Sequence, residues 1–401
     1  MTPAELRALG PLQPGAPQPV VEVRGRVVRV TGNAFHLEHD GSGVPVAWAP
    51  PPPFGAWVAV RGRFTGQQVE ATAVELLAAP AGDVTRASSD FSWGHAGGIA
   101  MLHGRHRALR ALRAFFDGRG FLEVETPTVV RSPGLELHLE ALEVVGLGDH
   151  RWLQTSPEYH MKRLLSAGTA RCYQLCKAYR RDEHGTLHQP EFTLLEWYRA
   201  FAGSEQLMAD TEQLVAELAR ALHGDTAIRG RAAPIDVAPP WERLPLAEAF
   251  ARHASRTLEQ ALQDESTFYR VLVEEVEPAL GRGRPLFLTH YPASQAALAR
   301  LHPEDPRYAD RFEAYVEGVE LCNGFGELTD PVEQRRRFER DLAARAQQQR
   351  ARYPIDERFL DALADGLPPC AGNALGLDRL LMLLLGAETI GDVVAFSSER
   401  T

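Results

Sequence analysis

Lysine is almost missing from this chain: of its 43 Lys and Arg residues, only Lys162 and Lys177 are lysine. We read the arginine excess as compositional bias of the source genome. Positive charge is in deficit as well, because 53 acidic residues leave a net charge of −10. That excludes a protein that binds nucleic acid with its whole surface and leaves room only for a local basic groove. Cysteine is scarce. Of Cys172, Cys176, Cys322 and Cys370, only the first two are close, and no His or Cys stands at zinc-finger spacing from them. Free thiols in a reducing compartment are expected. No apolar run reaches the ~20 residues that span a bilayer, since Leu375–Leu385 is broken by Asp378 and Arg379. The beginning of the chain carries no basic-then-apolar leader. A phosphate-binding Gly-x-x-x-x-Gly-Lys-Ser/Thr loop, a Gly-x-Gly-x-x-Gly turn after a strand, and internal repeats are all absent. A soluble, cytoplasmic protein is expected, with no membrane partner.

What is present is enough for a large core: 401 residues, 44% of them hydrophobic, allow two or three domains. Residues 1–17 are rich in Pro, Gly and Ala and read as a loose arm. Residues 18–80 read as four or five short strands, with alternation such as Val21-Glu22-Val23-Arg24 and a turn at Gly41-Ser42-Gly43. Such spacing predicts a small closed barrel, similar to an oligonucleotide-binding (OB) fold. Its charge is balanced, so packing or docking fits it as well as nucleic-acid reading. Residues 81–96 read as a linker. A helix is predicted from about Ile99 to Asp117, ended by Gly118 and Gly120, then a strand closed by Pro127. From there strands and helices mix without a βαβ rhythm, and we take 97–401 as one α+β domain.

Chemistry concentrates in three places. Cys172–Tyr179 and Glu191–Tyr198 read as an antiparallel hairpin whose tip carries Arg180-Arg181-Asp182-Glu183-His184-Gly185. Alternation puts Phe192, Leu194, Glu196 and Tyr198 on one face. A carboxylate among apolar neighbours is costly without a partner, so the hairpin is either a ligand-binding sheet or a surface ion-pair network. Leu375-Gly376-Leu377-Asp378-Arg379 sets an arginine at the start of an apolar helix, where its planar fork could reach a phosphate; the same pattern also serves as a helix cap. Glu313 and the run Glu320-Leu321-Cys322-Asn323-Gly324-Phe325-Gly326-Glu327 flank an apolar strand with acids. These could hold Mg²⁺ on a triphosphate, face a cationic substrate, or lie on an exposed amphipathic strand. Ser156-Pro157-Glu158 places a further acid after a proline turn.

Taken together and in order, the helix and strand ending at Pro127, the Arg180 hairpin and the Gly376–Arg379 helix resemble the three signature motifs of the class II aminoacyl-tRNA synthetases. Within that class the chain resembles the lysyl-tRNA synthetase group. It is most similar to the compact elongation factor P–(R)-β-lysine ligases, through Thr155–Leu165, Pro190–Tyr198, 291–298 and Gly318–Phe325. The resemblance covers about residues 99–401. It implies an antiparallel class II sheet flanked by helices, preceded here by the OB-like barrel, and a homodimer built on the first motif.

The resemblance also implies roles. Arg180 and Arg379 would be the catalytic pair, Arg180 on the α-phosphate and substrate carboxylate, Arg379 on the γ-phosphate and over an adenine stacked on Phe192. Arg181, Asp182, Gln189, Glu320, Leu321 and Gly376 match positions that contact ATP. Glu313 and Glu320 match ligands of Mg²⁺. Ser156, Pro157, Glu158, Tyr198, Asn323, Glu327 and Ala374 match the amino-acid pocket, with Glu158 and Glu327 expected at opposite ends of a substrate bearing two ammonium groups. Ser156 replaces the Ala, and Ala374 the Gly, usual in lysyl-tRNA synthetases. Both tilt the expectation from lysine towards (R)-β-lysine and from tRNA towards elongation factor P as acceptor. Arg181, Gln189 and Gly326 depart from the ligases' Asn, Asn and His. The barrel, which the compact ligases lack, keeps tRNA charging as the alternative; a non-catalytic ligand-binding paralogue is a third reading.

Overall fold

A computed structural model describes residues 1–10, 17–85, 89–230, 233–296 and 298–401. The chain divides into two compact units, Met1–His103 and Gly104–Glu399.

In the first unit, β1 (Val20–Thr31), β2 (Ala34–His39), β3 (Ser42–Ala47), β4 (Trp57–Phe64) and β5 (Val69–Ala78) close a barrel in the order β1-β2-β3-β5-β4. Alternation fills it: Val21, Val23, Phe35, Leu37, Val58 and Val60 are buried inside. The arm expected over 1–17 differs at its start, and 11–16 lie outside the described residues. Thr2 and Glu5 form a reciprocal cap on helix α1 (Pro3–Arg7), and Leu6 is buried in the barrel core, which offsets the entropy of ordering this turn. Within the segment read as a linker, 86–88 lie outside the described residues, while Ser89 caps helical turns over Asp90–Trp93 and Gly94–Gly98.

The second unit holds an eight-stranded sheet. Its strands are β6 (Leu122–Glu123), β7 (Arg171–Tyr179), β8 (Glu191–Ala200), β9 (Glu242–Pro245), β10 (Leu286–Pro292), β11 (Tyr308–Val316), β12 (Val319–Gly326) and β13 (Cys370–Gly376). The order is β9-β10-β11-β12-β13-β8-β7-β6. The six central strands are antiparallel, and each edge strand runs parallel to its neighbour. This is the α+β architecture expected. Helix α2 (Ile99–Asp117) buries Leu112, Phe115 and Phe116, and Phe116 stacks on Tyr173 of β7 at 4.4 Å. Helices α3 (Glu158–Ser166), α4 (Ser204–His223), α5 (Pro331–Gln347) and α6 (Leu377–Leu385) complete the frame. No helix among the described residues is long and apolar enough to cross a membrane.

Candidate active site

The hairpin is in register from Arg171↔Arg199 to Tyr179↔Glu191, and β13 pairs β8 on its other side with Glu196↔Ala374 and Tyr198↔Gly372. β12 follows with Asn323↔Ala374. Glu196, Ala374 and Asn323 therefore share one sheet face, and that face walls a cavity of about 830 Å³. Side-chain size sets its depth. A Cβ at residue 372 would collide with the Tyr198 ring and stand 2.5 Å from Glu327 Oε1, so only glycine keeps this floor open.

Arg180 sits just beyond β7, where its backbone N–H donates to Pro190 O at 2.9 Å and closes the hairpin end. Its guanidinium lies 5.0 Å from the Phe192 ring centre, and Nη1 donates to Glu183 at 3.1 Å. Nε is enclosed and donates to nothing among the described residues. Opposite, Gly376 starts α6, and Asp378 fixes it. One oxygen accepts from Arg105 at 2.6 Å, the other from the Thr193 backbone N–H at 2.7 Å. Arg379 is thereby aimed at the cavity, where it donates to Leu187 O and to Glu320, and lies 2.6 Å from His188 Nε2. Burial first, then Arg379, lowers the His188 pKa, which keeps this ring neutral and able to accept.

Of the expected ATP contacts, Gln189, Phe192, Glu320, Leu321, Gly376 and Arg379 line the cavity with Arg180, whereas Arg181 and Asp182 do not. Arg181 turns outward to Asp182 at 3.3 Å, more than half exposed. Arg180 covers the Phe192 ring here. Gln189 Oε1 accepts from the Ser398 backbone at 3.0 Å. At Gly326 a Cβ would run into Asp310, which pairs with Arg300 at 2.8 Å; that ion pair fills the space a larger residue would need.

Of the expected pocket residues, Ser156, Glu158, Tyr198, Asn323, Glu327 and Ala374 line the cavity, and Pro157 stands behind them as the cap of α3. Ser156 is an organiser: its hydroxyl donates to Glu196 at 2.6 Å and accepts from the Glu158 N–H at 3.1 Å. Glu158 and Glu327, expected at opposite ends of a substrate, share one partner within the protein. Both pair with Lys162 Nζ, which is fully buried one helical turn beyond Glu158. Glu327 Oε1 remains without a hydrogen bond.

Magnesium fits this site unevenly. Glu320 presents a carboxylate on the wall. Glu313 lies off the cavity and is engaged, since Tyr291 and Tyr315 donate to Oε2 and Arg311 to Oε1 at 2.6 Å. Among the described residues no cluster of three or more His, Cys, Asp or Glu is built to hold a metal. A carboxylate completed by phosphate oxygens and water is how Mg²⁺ usually binds, so Glu320 fits an ion carried in with a nucleotide, and Glu313 does not in this arrangement.

Glu196 and Glu136, both on the cavity wall, stand outside the set expected to bind. Glu196, whose alternation was visible, is fully buried; burial first and then Glu158 push its carboxyl up to about 7, against donors from Ser156 and Tyr198. Glu136, on a loop, is pushed up to about 7 by the same two causes. Each keeps in the folded state a proton that the unfolded chain releases near its usual value of 4.5. Their contribution to stability is therefore full below that value and is lost as pH rises through about 7. Thermal unfolding without substrate should show a midpoint that falls between pH 5 and 8 by a steeper slope than in Glu196→Gln. Identical slopes would mean Glu196 does not hold its proton.

With this geometry in hand, comparison with known proteins is specific. Residues 98–400 match the family of tRNA synthetases class II (D, K and N). The elongation factor P–(R)-β-lysine ligase of Salmonella gallinarum (strain 287/91 / NCTC 13346) is 42% identical over 326 residues, covering 78% of this chain and 99% of that protein. The proteins of the same name from Salmonella agona (strain SL483) and Salmonella enteritidis PT4 (strain P125109) match at the same 42% and the same coverage.

Proposed function

The chain belongs to the class II tRNA synthetases (D, K and N), and within them to the elongation factor P–(R)-β-lysine ligases; from that premise we propose that it activates (R)-β-lysine with ATP and transfers it to a lysine side chain of elongation factor P in the cytoplasm. One observation carries the substrate reading. The cavity wall holds enclosed atoms of both signs with no partner, Arg180 Nε and Glu327 Oε1. Buried polar atoms of this kind call for a ligand of complementary charge, and an amino acid with a distal ammonium supplies both.

In this reading Arg180 takes the substrate carboxylate and the α-phosphate. A carboxylate oxygen attacks the α-phosphorus, the bond to the β-phosphate breaks, and pyrophosphate leaves. Arg180 stabilises the charge that develops on phosphorus, so positioning and electrostatics replace any covalent nucleophile. Gln189, Phe192, Leu321 and Gly376 shape the nucleotide side, with Arg379 on the terminal phosphates. Magnesium, brought with ATP and bound by Glu320, would neutralise phosphate charge. Glu327 and Glu196 receive the distal ammonium, oriented by Tyr198 and Ser156. An acceptor amine then attacks the acyl carbon and AMP departs. The first motif suggests that two copies assemble as a homodimer.

The test offers labelled (R)-β-lysine and labelled L-lysine with ATP to the protein, with elongation factor P and tRNA both present. Label on elongation factor P, with (R)-β-lysine preferred in ATP–pyrophosphate exchange, is expected. Label on tRNA alone, or a clear preference for L-lysine, would overturn the assignment in favour of a tRNA-charging enzyme.

A further inference from the structure

Glu136 is a cavity carboxylate that this mechanism leaves without a task. Its loop is held from beneath. Arg345, fully buried on α5, donates to Glu136 O at 2.7 Å and Leu139 O at 2.9 Å, and pairs with Glu140 at 3.1 Å. Tyr353 donates to the other oxygen of Glu140 at 3.0 Å and accepts from the Ala141 N–H at 2.8 Å. The Glu136 backbone thus hangs on a network that is satisfied and rigid. Its side chain is given room by Gly134, which has φ +113° and where a Cβ would strike Glu136 Oε2. That oxygen is enclosed and accepts no hydrogen bond. Glu158, Arg180 and Asp341 are among the charges acting on the carboxyl, and all three line the same cavity as Glu136.

A second cation acceptor in the same cavity as the carboxylate-binding arginine has a plain chemical use. We propose that Glu136 receives the substrate ammonium nearest the reacting carboxylate, together with Glu158, so that this loop reads where along the chain that amino group sits. The inference rests on the diamino-acid reading above. It divides the recognition work in two. Glu327 and Glu196 hold the distal ammonium, and Glu136 and Glu158 hold the proximal one.

The test compares diamino acids with 6-aminohexanoate, which keeps the carboxylate and the distal ammonium but has no proximal one. In Glu136→Gln, KM for (R)-β-lysine in ATP–pyrophosphate exchange should rise about 10-fold or more, the size of a lost hydrogen bond to a charged group. The Ki of 6-aminohexanoate as a competitor should change less than about 3-fold, and Glu136→Asp should recover part of the KM. An equal rise in both constants would make Glu136 structural, and no rise in either would make it a bystander; both outcomes overturn the proposal. If the unmodified protein exchanges with no diamino acid, the underlying function falls instead, and the two failures are told apart.

Discussion

Replacing Arg180 by alanine is expected to lower ATP–pyrophosphate exchange by about 10³-fold while leaving the fold intact, since one preorganised donor to a charged transition state is worth about that much. The side chain is one-quarter exposed, pairs only with Glu183 among the described residues, and rests on Phe192. Deleting it should therefore cost stability no more than about 1 kcal/mol. Its buried Nε gives up nothing on deletion because it has no partner to lose. The loss should fall on kcat, and lysine at this position should restore little, because an ammonium cannot reproduce the planar fork. Full exchange in Arg180→Ala would remove the arginine from the reaction, and a large drop in the unfolding midpoint would show that it serves the fold.

Much of this site could be read along single elements. The alternation Phe192, Leu194, Glu196, Tyr198 is the cavity wall because a strand's period of two survives any tertiary setting. The helix from Ile99 and the Gly376 start of α6 follow from equally local signals. What could not be read was partnership across the chain. The four-residue spacing of Glu158 and Lys162 is visible, but nothing in the sequence says that Glu327, at the end of β12, closes on the same ammonium. Glu313 sits at the expected strand position, yet its oxygens are consumed by Tyr291, Tyr315 and Arg311 from neighbouring positions in the sheet. Glu136 lies on a loop with no periodicity to mark it, and the residues that fix it, Arg345 and Tyr353, belong to a distant stretch.

Replacing Lys162 by methionine is expected to destabilise the protein by about 3–5 kcal/mol, the cost of breaking a buried ion pair by removing one partner. Burial alone would pull this amine towards neutrality, but Glu158 and Glu327 outweigh it and hold it charged. Without it two carboxylates face each other beside Phe325 and Phe359. They would take up protons, so the defect should shrink as pH falls. Chemical denaturation of Lys162→Met against the double variant with Glu327→Gln measures the coupling, and the double variant should be the more stable of the two. If both are as stable as the parent, the triad is ornamental. Lys162→Arg should rescue little, because a planar guanidinium does not replace a compact ammonium held between two carboxylates.

Of the two lysines in the chain, Lys162 is buried. What it holds between Glu158 and Glu327 is an alkylammonium, the same chemical group as the tail of the amino acid proposed to lie beside it. The protein thus keeps in its own wall a permanent likeness of its substrate's far end. The two cations meet the same group of acids, so a rival cation is already built in before any ligand arrives, and the strength of the remaining pull on the ligand is set by how many carboxylates outnumber it.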